Sequence, residues 1–191
     1  MSLVVVEGSN GSGKTEIIKK LTEQFNIVGK KSIPNWYRSS IEFARRCSLD
    51  LQKVIYLYGH YINYLECNDE QDYIFDRYIY STIIRINYGL KKSKSETINE
   101  ILSYEYKPNL VIVLKSDKKI IRERLNIRRD FTFDEDFYDY ENEIYEQLAL
   151  ISDIIFIVNN NSDINSIIYE VSKIIVQNTN VRKKVNYVRR I

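Results

Sequence analysis

The chain has 191 residues, with 28 lysines and arginines against 26 acids for a formal net charge of +2, so no bulk charge directs it toward nucleic acid. With 44% apolar and 28% charged residues it has enough material for one packed core and is not a disordered chain. Its longest apolar runs, Leu110 to Leu114 and Ile154 to Val158, fall far short of the ~20 residues of a membrane-spanning helix. Met1 leads straight into Leu3 to Val6 with no basic segment or cleavage site, so a soluble, cytoplasmic protein without a membrane partner is expected. Cys47, Cys67 and the single histidine, His60, have no metal-ligand spacing, which leaves no parts for a zinc site or a disulfide framework.

In chain order, the β-branched run Leu3 to Val6 predicts a strand, and Ile17, Ile18, Leu21 and Phe25 predict a helix over 14–25. A second short strand is expected at Lys31 to Ile33, stopped by Pro34, and a third at Tyr73 to Phe75, ending at Asp76. Between them, 49–65 reads as a helix that packs Val54, Leu57, Tyr58, Tyr61 and Leu65 and solvates Gln52, Lys53 and Asn63. Leu110 to Leu114 and Ile154 to Val158 are near-continuously apolar, as strands covered on both faces are, and helical segments are expected at 81–90, 95–104, 117–127, 136–151 and 163–176. The fold class is therefore α/β: a doubly wound parallel β-sheet of about five strands flanked by helices, in one domain over 1–191. Eight acids between Asp130 and Glu146, and a basic tail over 180–191 with five basic residues from Arg182 to Arg190, read as solvated surface.

Glycine is scarce, yet three of the six fall at Gly8, Gly11 and Gly13. The stretch Gly8-Ser9-Asn10-Gly11-Ser12-Gly13-Lys14-Thr15 fits GxxxxGK[ST] in full, between a strand and a helix. Glycines let consecutive N–H groups point into one concavity, and the positive end of the helix adds to it, so the segment is a cradle for a polyphosphate such as ATP. Lys14 would reach the β- and γ-phosphates, and the Thr15 hydroxyl would hold Mg²⁺.

Asp76-Arg77-Tyr78 ends the third apolar strand, on the same sheet edge as the cradle. Asp76 there can organise Mg²⁺ or take a proton, and Arg77 can grip a phosphate through two parallel hydrogen bonds. Arg122, Arg124, Arg128 and Arg129 crowd one helix end, as a lid over 124–135 that closes on a transferring phosphoryl group would require.

Together these features resemble the thymidylate kinase family, within the wider nucleoside monophosphate and deoxynucleoside kinases. The resemblance rests on Val6-Glu7-Gly8 with its loop, Pro34, the Tyr56 to His60 segment, Asp76-Arg77-Tyr78 with Ser81-Thr82, Arg124 to Arg129, and Glu143 to Ala149. It implies that Arg77 holds an acceptor monophosphate, that Tyr56 or Tyr58 stacks on the base, and that Arg128 assists transfer with Arg124 or Arg129. It also implies a homodimer working on small nucleotides. Two positions depart from the family pattern. Asn10 stands where an Asp normally meets the sugar 3′-hydroxyl, and the residue four after the stacking aromatic is His60 or Ile62 instead of Arg. His60 is then a candidate for the substrate pocket. The leading expectation is ATP-dependent phosphorylation of dTMP, with a deoxynucleoside kinase second and a P-loop NTPase acting on nucleic acid third.

Overall fold

The computed structural model describes residues 1–128, 132–161 and 163–184, with every side chain except that of Arg128. β1 (Leu3–Glu7), β2 (Ile27–Lys31), β3 (Asp72–Asp76), β4 (Leu110–Lys115) and β5 (Ile155–Asn159) form one parallel sheet in the order β2-β3-β1-β4-β5. Around it, among the described residues, run α1 (Lys14–Gln24), α2 (Arg38–Ala44), α3 (Leu49–Leu65), α4 (Ile79–Gly89), α5 (Lys94–Leu102), α6 (Lys118–Arg128), α7 (Glu135–Ile151) and α8 (Ile164–Asn178). The doubly wound α/β fold expected from the apolar runs is the fold observed.

The sheet is buried on both faces because the central strands carry unbroken apolar runs, Leu3 to Val6 in β1, Tyr73 to Phe75 in β3 and Leu110 to Leu114 in β4. In β1, Leu3 and Val5 join the cluster of Phe75, Tyr78, Val111 and Ile144, while Val4 and Val6 join Ile17, Leu21, Ile112 and Val171 on the other side. Alternate side chains of a strand point to opposite faces, so an unbroken apolar strand needs helices on both. Burying each such side chain contributes roughly 1.5–3 kcal/mol.

The second strand departs from expectation. It is Ile27–Lys31, not Lys31 to Ile33, and it pairs with β3 from Ile27 opposite Asp72 to Lys31 opposite Asp76. As an edge strand it is only half covered, so Gly29-Lys30-Lys31 gives no apolar signal. Beyond Lys31 the backbone turns to side chains: Asn63 donates to the carbonyls of Lys31 (2.6 Å) and Ser32 (3.1 Å). The short helix α2 and the 3₁₀ turn Asn35–Tyr37 before it were not anticipated.

The bounds of α3 are those expected, and Leu57 packs on the core as expected, but the rest of its packing differs. Val54, Tyr58 and Leu65 are more than half exposed, whereas Gly59, His60 and Asn63 are buried. Lys53 ion-pairs with Glu100 (2.8 Å) and donates to Asn87 (2.6 Å). Satisfied hydrogen bonds to strand ends and to α4 outweigh the apolar stripe in deciding which face turns inward.

The start of the basic tail is docked: the N–H of Asn26 donates to Arg182 and that of Lys184 to Gln24. Residues 185–191 lie outside the described residues. Most of the acidic stretch is the solvated surface expected, with Glu143 paired to Lys94, Glu146 to Lys115, and Glu135 to Arg122 and Lys118. Glu141 is the exception.

Candidate active site

The carboxyl ends of β1, β3 and β4 meet where the chain winds away from β1 in both directions, which is where open parallel sheets bind ligands. The glycine loop leaves β1 there. Gly8 has φ +125°, and a Cβ on it would lie 2.3 Å from the Leu114 carbonyl oxygen; one on Gly13 (φ +87°) would lie 2.6 Å from Asn160 Nδ2. Only glycine fits either position. Ser12 is buried, so its hydroxyl belongs to the loop's interior while Asn10, Gly11, Gly13 and Thr15 face a cleft of about 660 Å³.

Lys14 is buried, its ammonium turned back to donate to the carbonyls of Gly8 and Ser9 (both 2.8 Å) and to Ser12 Oγ (3.3 Å). Burial, reinforced by the nearby Arg77 guanidinium, pushes its pKa down to about 7. Thr15 Oγ1 donates to Asp76 Oδ2 at 3.0 Å, and Lys31 lies 3.4 Å from the same oxygen. A hydroxyl and a carboxylate side by side are hard oxygen donors of the kind Mg²⁺ takes alongside waters and phosphate oxygens.

Arg77 occupies a left-handed backbone conformation, φ +73°, costly for a residue with a long side chain. The strain is held by its neighbours. Its N–H donates to Val6, and the next N–H, of Tyr78, donates to the Glu7 carboxylate at 2.7 Å. Glu7 is fully buried and also accepts from Tyr145 Oη at 3.2 Å; desolvation pushes its pKa up to about 7 against the pull of Arg77 and Lys14. The Arg77 guanidinium thereby reaches Asn10 Oδ1 at 2.7 Å.

A second cleft, of about 240 Å³, opens between α3, α4 and α7. Asn10 and Arg77 line both clefts and form the junction between them. Tyr56 lines the second cleft; Tyr58, two residues on, points to the opposite side of α3, is 54% exposed and packs near Tyr37 and Tyr61. Tyr58 is therefore not part of this site. His60 is not part of it either. It is buried between the Ser32 carbonyl (3.0 Å) and Thr82 Oγ1 (2.9 Å), and burial pushes its pKa down to about 4. Since a carbonyl can only accept, Nδ1 carries the proton and Nε2 accepts from Thr82, a structural tie between α3 and α4.

Arg124 faces the first cleft and donates to the Gly11 carbonyl at 3.1 Å. Arg122 instead pairs with Glu135 at the surface. The Arg128 side chain and Arg129 lie outside the described residues.

Four contributors escaped the sequence. Asn160, after β5, donates through Nδ2 to the Ser12 carbonyl and lines the first cleft. Glu141, 2% exposed, accepts from Ser9 Oγ and lines the second with Gln52 and Arg85. Glu141 was detectable: it sits four residues from both Phe137 and Tyr145 on the buried stripe of α7, an acid where an apolar residue is due.

No family model matches the chain. Over 137 residues, spanning 68% of this chain and 68% of the relative, it is 26% identical to a probable thymidylate kinase from Metallosphaera sedula. Among solved structures it is similar to thymidylate kinase from Candida albicans, with a TM-score of 0.68 and 19% identity over 96% of this chain and 98% of that one. It is similar to thymidylate kinase from Ehrlichia chaffeensis, with a TM-score of 0.65 and 18% identity over 92% and 98%. Deoxyadenosine kinase from M. mycoides with bound dATP gives a TM-score of 0.64 and 17% identity over 90% and 97%.

Proposed function

We infer that this chain, which resembles the thymidylate kinase family and its P-loop kinase relatives in both sequence and fold, moves the γ-phosphoryl group of ATP onto a (deoxy)nucleoside monophosphate, with dTMP as the first acceptor. One observation carries the reading: Arg77 and Asn10 stand at the junction of a glycine-loop cleft and a second, smaller cleft. A guanidinium at that junction binds an anion entering from the smaller side.

ATP would lie in the first cleft, its phosphates on the loop N–H groups, with Lys14 swinging from the Gly8 and Ser9 carbonyls onto phosphate oxygens. Thr15 and Asp76 would hold Mg²⁺, which supplies charge neutralisation on the β- and γ-phosphates. An acceptor phosphate oxygen forms the new P–O bond to the γ-phosphorus as the β–γ bridging bond breaks, and ADP leaves with that electron pair. Such an oxygen is already ionised at neutral pH, so no general base is required. Arg124 on one side and Arg77 on the other would stabilise the charge on the transferred group, with Arg128 and Arg129 added from the lid. The rest of the reading follows the resemblance: one kinase domain over 1–191, cytoplasmic, acting on small nucleotides and not on nucleic acid. The exposed apolar stripe of Val54, Tyr58 and Leu65 supports a homodimer.

One feature favours a nucleoside acceptor instead. The Glu141 carboxylate lines the second cleft, where it would repel a phosphate and could take a hydroxyl proton. ADP release with dTMP and with thymidine, under identical ATP and Mg²⁺, separates the two. A monophosphate kinase releases ADP at least about tenfold faster with dTMP, the factor that about 1.4 kcal/mol of phosphate binding supplies. Arg77→Gln should then raise the acceptor KM by the ~1.5–3 kcal/mol of a charge-assisted bond and leave the ATP constant unchanged. Equal or reversed rates would move the chain to the nucleoside kinases, and release indifferent to acceptor would make it an NTPase.

A further inference from the structure

Lys31 ends the edge strand β2 opposite Asp76 of β3, which in turn stands opposite Val6 of β1. Paired positions of a parallel sheet share a face, so all three side chains project toward α1, where Val6 joins the cluster of Ile17 and Thr15 stands in the first turn of the helix. Lys30, one residue earlier, faces the other way, with Glu66 at 3.8 Å and the Tyr73 ring beneath its ammonium. The Asn63 amide holds the Lys31 carbonyl at 2.6 Å and so fixes the strand end.

The Asp76 carboxylate is unevenly loaded. Thr15 Oγ1 donates to Oδ2 at 3.0 Å and the Lys31 ammonium lies 3.4 Å from the same oxygen, whereas Oδ1 accepts no hydrogen bond among the described residues. Asp76 and Thr15 both line the first cleft. A hydroxyl has one proton and two acceptor lone pairs, so Thr15 spends its proton on Asp76 and keeps its lone pairs for a cation. A lysine on an edge strand guards against strand addition, but that role needs no partner. Lys31 is instead aimed at the carboxylate of the cation site. As an ion pair it adds little to stability, since its side chain is 67% exposed and the contact is long. Its charge therefore matters more than its bond.

We propose that Lys31 acts through Asp76 to weaken the hold of this site on Mg²⁺, so that metal and nucleotide leave more readily than Thr15 and Asp76 alone would allow. Two cations that share one carboxylate repel one another, and the ammonium offsets part of the negative charge that attracts the divalent ion. Orienting the carboxylate falls to Thr15, whose bond is the shorter of the two. The inference rests on the reading of Thr15 and Asp76 as the residues that hold Mg²⁺, and it names what tunes them.

Calorimetric binding of ADP, once with Mg²⁺ and once with EDTA, to the wild type and to Lys31→Met, Lys31→Glu and Lys31→Arg tests it. The factor by which Mg²⁺ tightens ADP should grow at least about threefold in Lys31→Met and about tenfold in Lys31→Glu, and it should stay at the wild-type value in Lys31→Arg. In EDTA, Lys31→Met should bind ADP within about twofold of the wild type. Added salt should shrink the differences, because the lysine is exposed. A factor that does not grow in the methionine and glutamate variants, beside a wild type that responds to Mg²⁺, overturns this inference alone. A growth that comes wholly from weaker metal-free binding in Lys31→Met also overturns it, since Lys31 would then be a phosphate-binding residue. A wild type that binds ADP equally with and without Mg²⁺ overturns the metal reading of Thr15 and Asp76, and this inference with it.

Discussion

Lys14 shows how a residue's chemistry depends on what fills the loop. Its ammonium is buried against its own loop carbonyls, and desolvation lowers its pKa to about 7, so above that pH it is largely neutral. A bound polyphosphate supplies the opposite charge and restores the proton. Binding of Mg-ADP at pH 8.5 should therefore be accompanied by uptake of about one proton, and at pH 6 by almost none. Calorimetry in buffers of differing ionisation heat measures this directly. Uptake that is equal at the two pH values, or that persists in Lys14→Met, would mean that Lys14 is charged before the ligand arrives.

At the scale of elements, the site is organised by the turn from β3 into α4. Arg77 takes a strained left-handed conformation because the Val6 carbonyl and the Glu7 carboxylate hold the N–H groups of Arg77 and Tyr78. The Tyr78 ring anchors the same turn against His60 and Phe75. Its hydroxyl, however, is buried with no hydrogen-bond partner among the described residues, a state that costs on the order of 1–3 kcal/mol. Tyr78→Phe keeps the ring contacts and removes the orphan, so thermal melting should show a variant as stable as the wild type or more stable, by up to about 1 kcal/mol after the lost dispersion contacts. A loss of more than 1 kcal/mol would mean that the hydroxyl has a partner.

The turn also explains what sequence reading could reach. Asp76-Arg77-Tyr78 was legible as a site because a strand end beside a glycine loop is a sheet-edge position. Glu7 ends an apolar strand next to the glycine loop, but nothing local to it shows that it holds the turn seventy residues on. In α3 the periodicity gave the right helix but only part of the buried face: Leu57 packs on the core, while Lys53, His60 and Asn63 turn inward to partners more than twenty residues away.

For the whole molecule, Glu7 and Lys14 tie stability to pH in opposite directions. Glu7 has its folded pKa raised from 4.5 to about 7, so its contribution is fully present below 4.5 and is lost as pH rises through 7. Lys14 has its folded pKa lowered from 10.5 to about 7, so its contribution is present above 10.5 and is lost as pH falls through 7. The nucleotide-free protein should then show a minimum in these two contributions near neutrality, of order 1–3 kcal/mol for each group. Melting temperatures from pH 5 to 9.5 should show Glu7→Gln flattening the acidic limb and Lys14→Met the alkaline limb. Limbs unchanged by either substitution would show that both groups keep their ordinary pKa values in the fold.

By itself the sequence determined the glycine loop, the parallel sheet and the strand-end Asp76-Arg77-Tyr78, because each is written in contiguous residues: a glycine spacing, an apolar run, a tripeptide after a strand. Only the tertiary structure decided that Tyr56 and not Tyr58 faces the second cleft, that His60 is a neutral tie between helices, and that Glu141, Gln52 and Arg85 line one cleft with Asn10 and Arg77. These choices depend on how α3, α4 and α7 are rotated about their axes. That rotation is set by long-range hydrogen bonds and ion pairs, which leave no periodic trace in the chain.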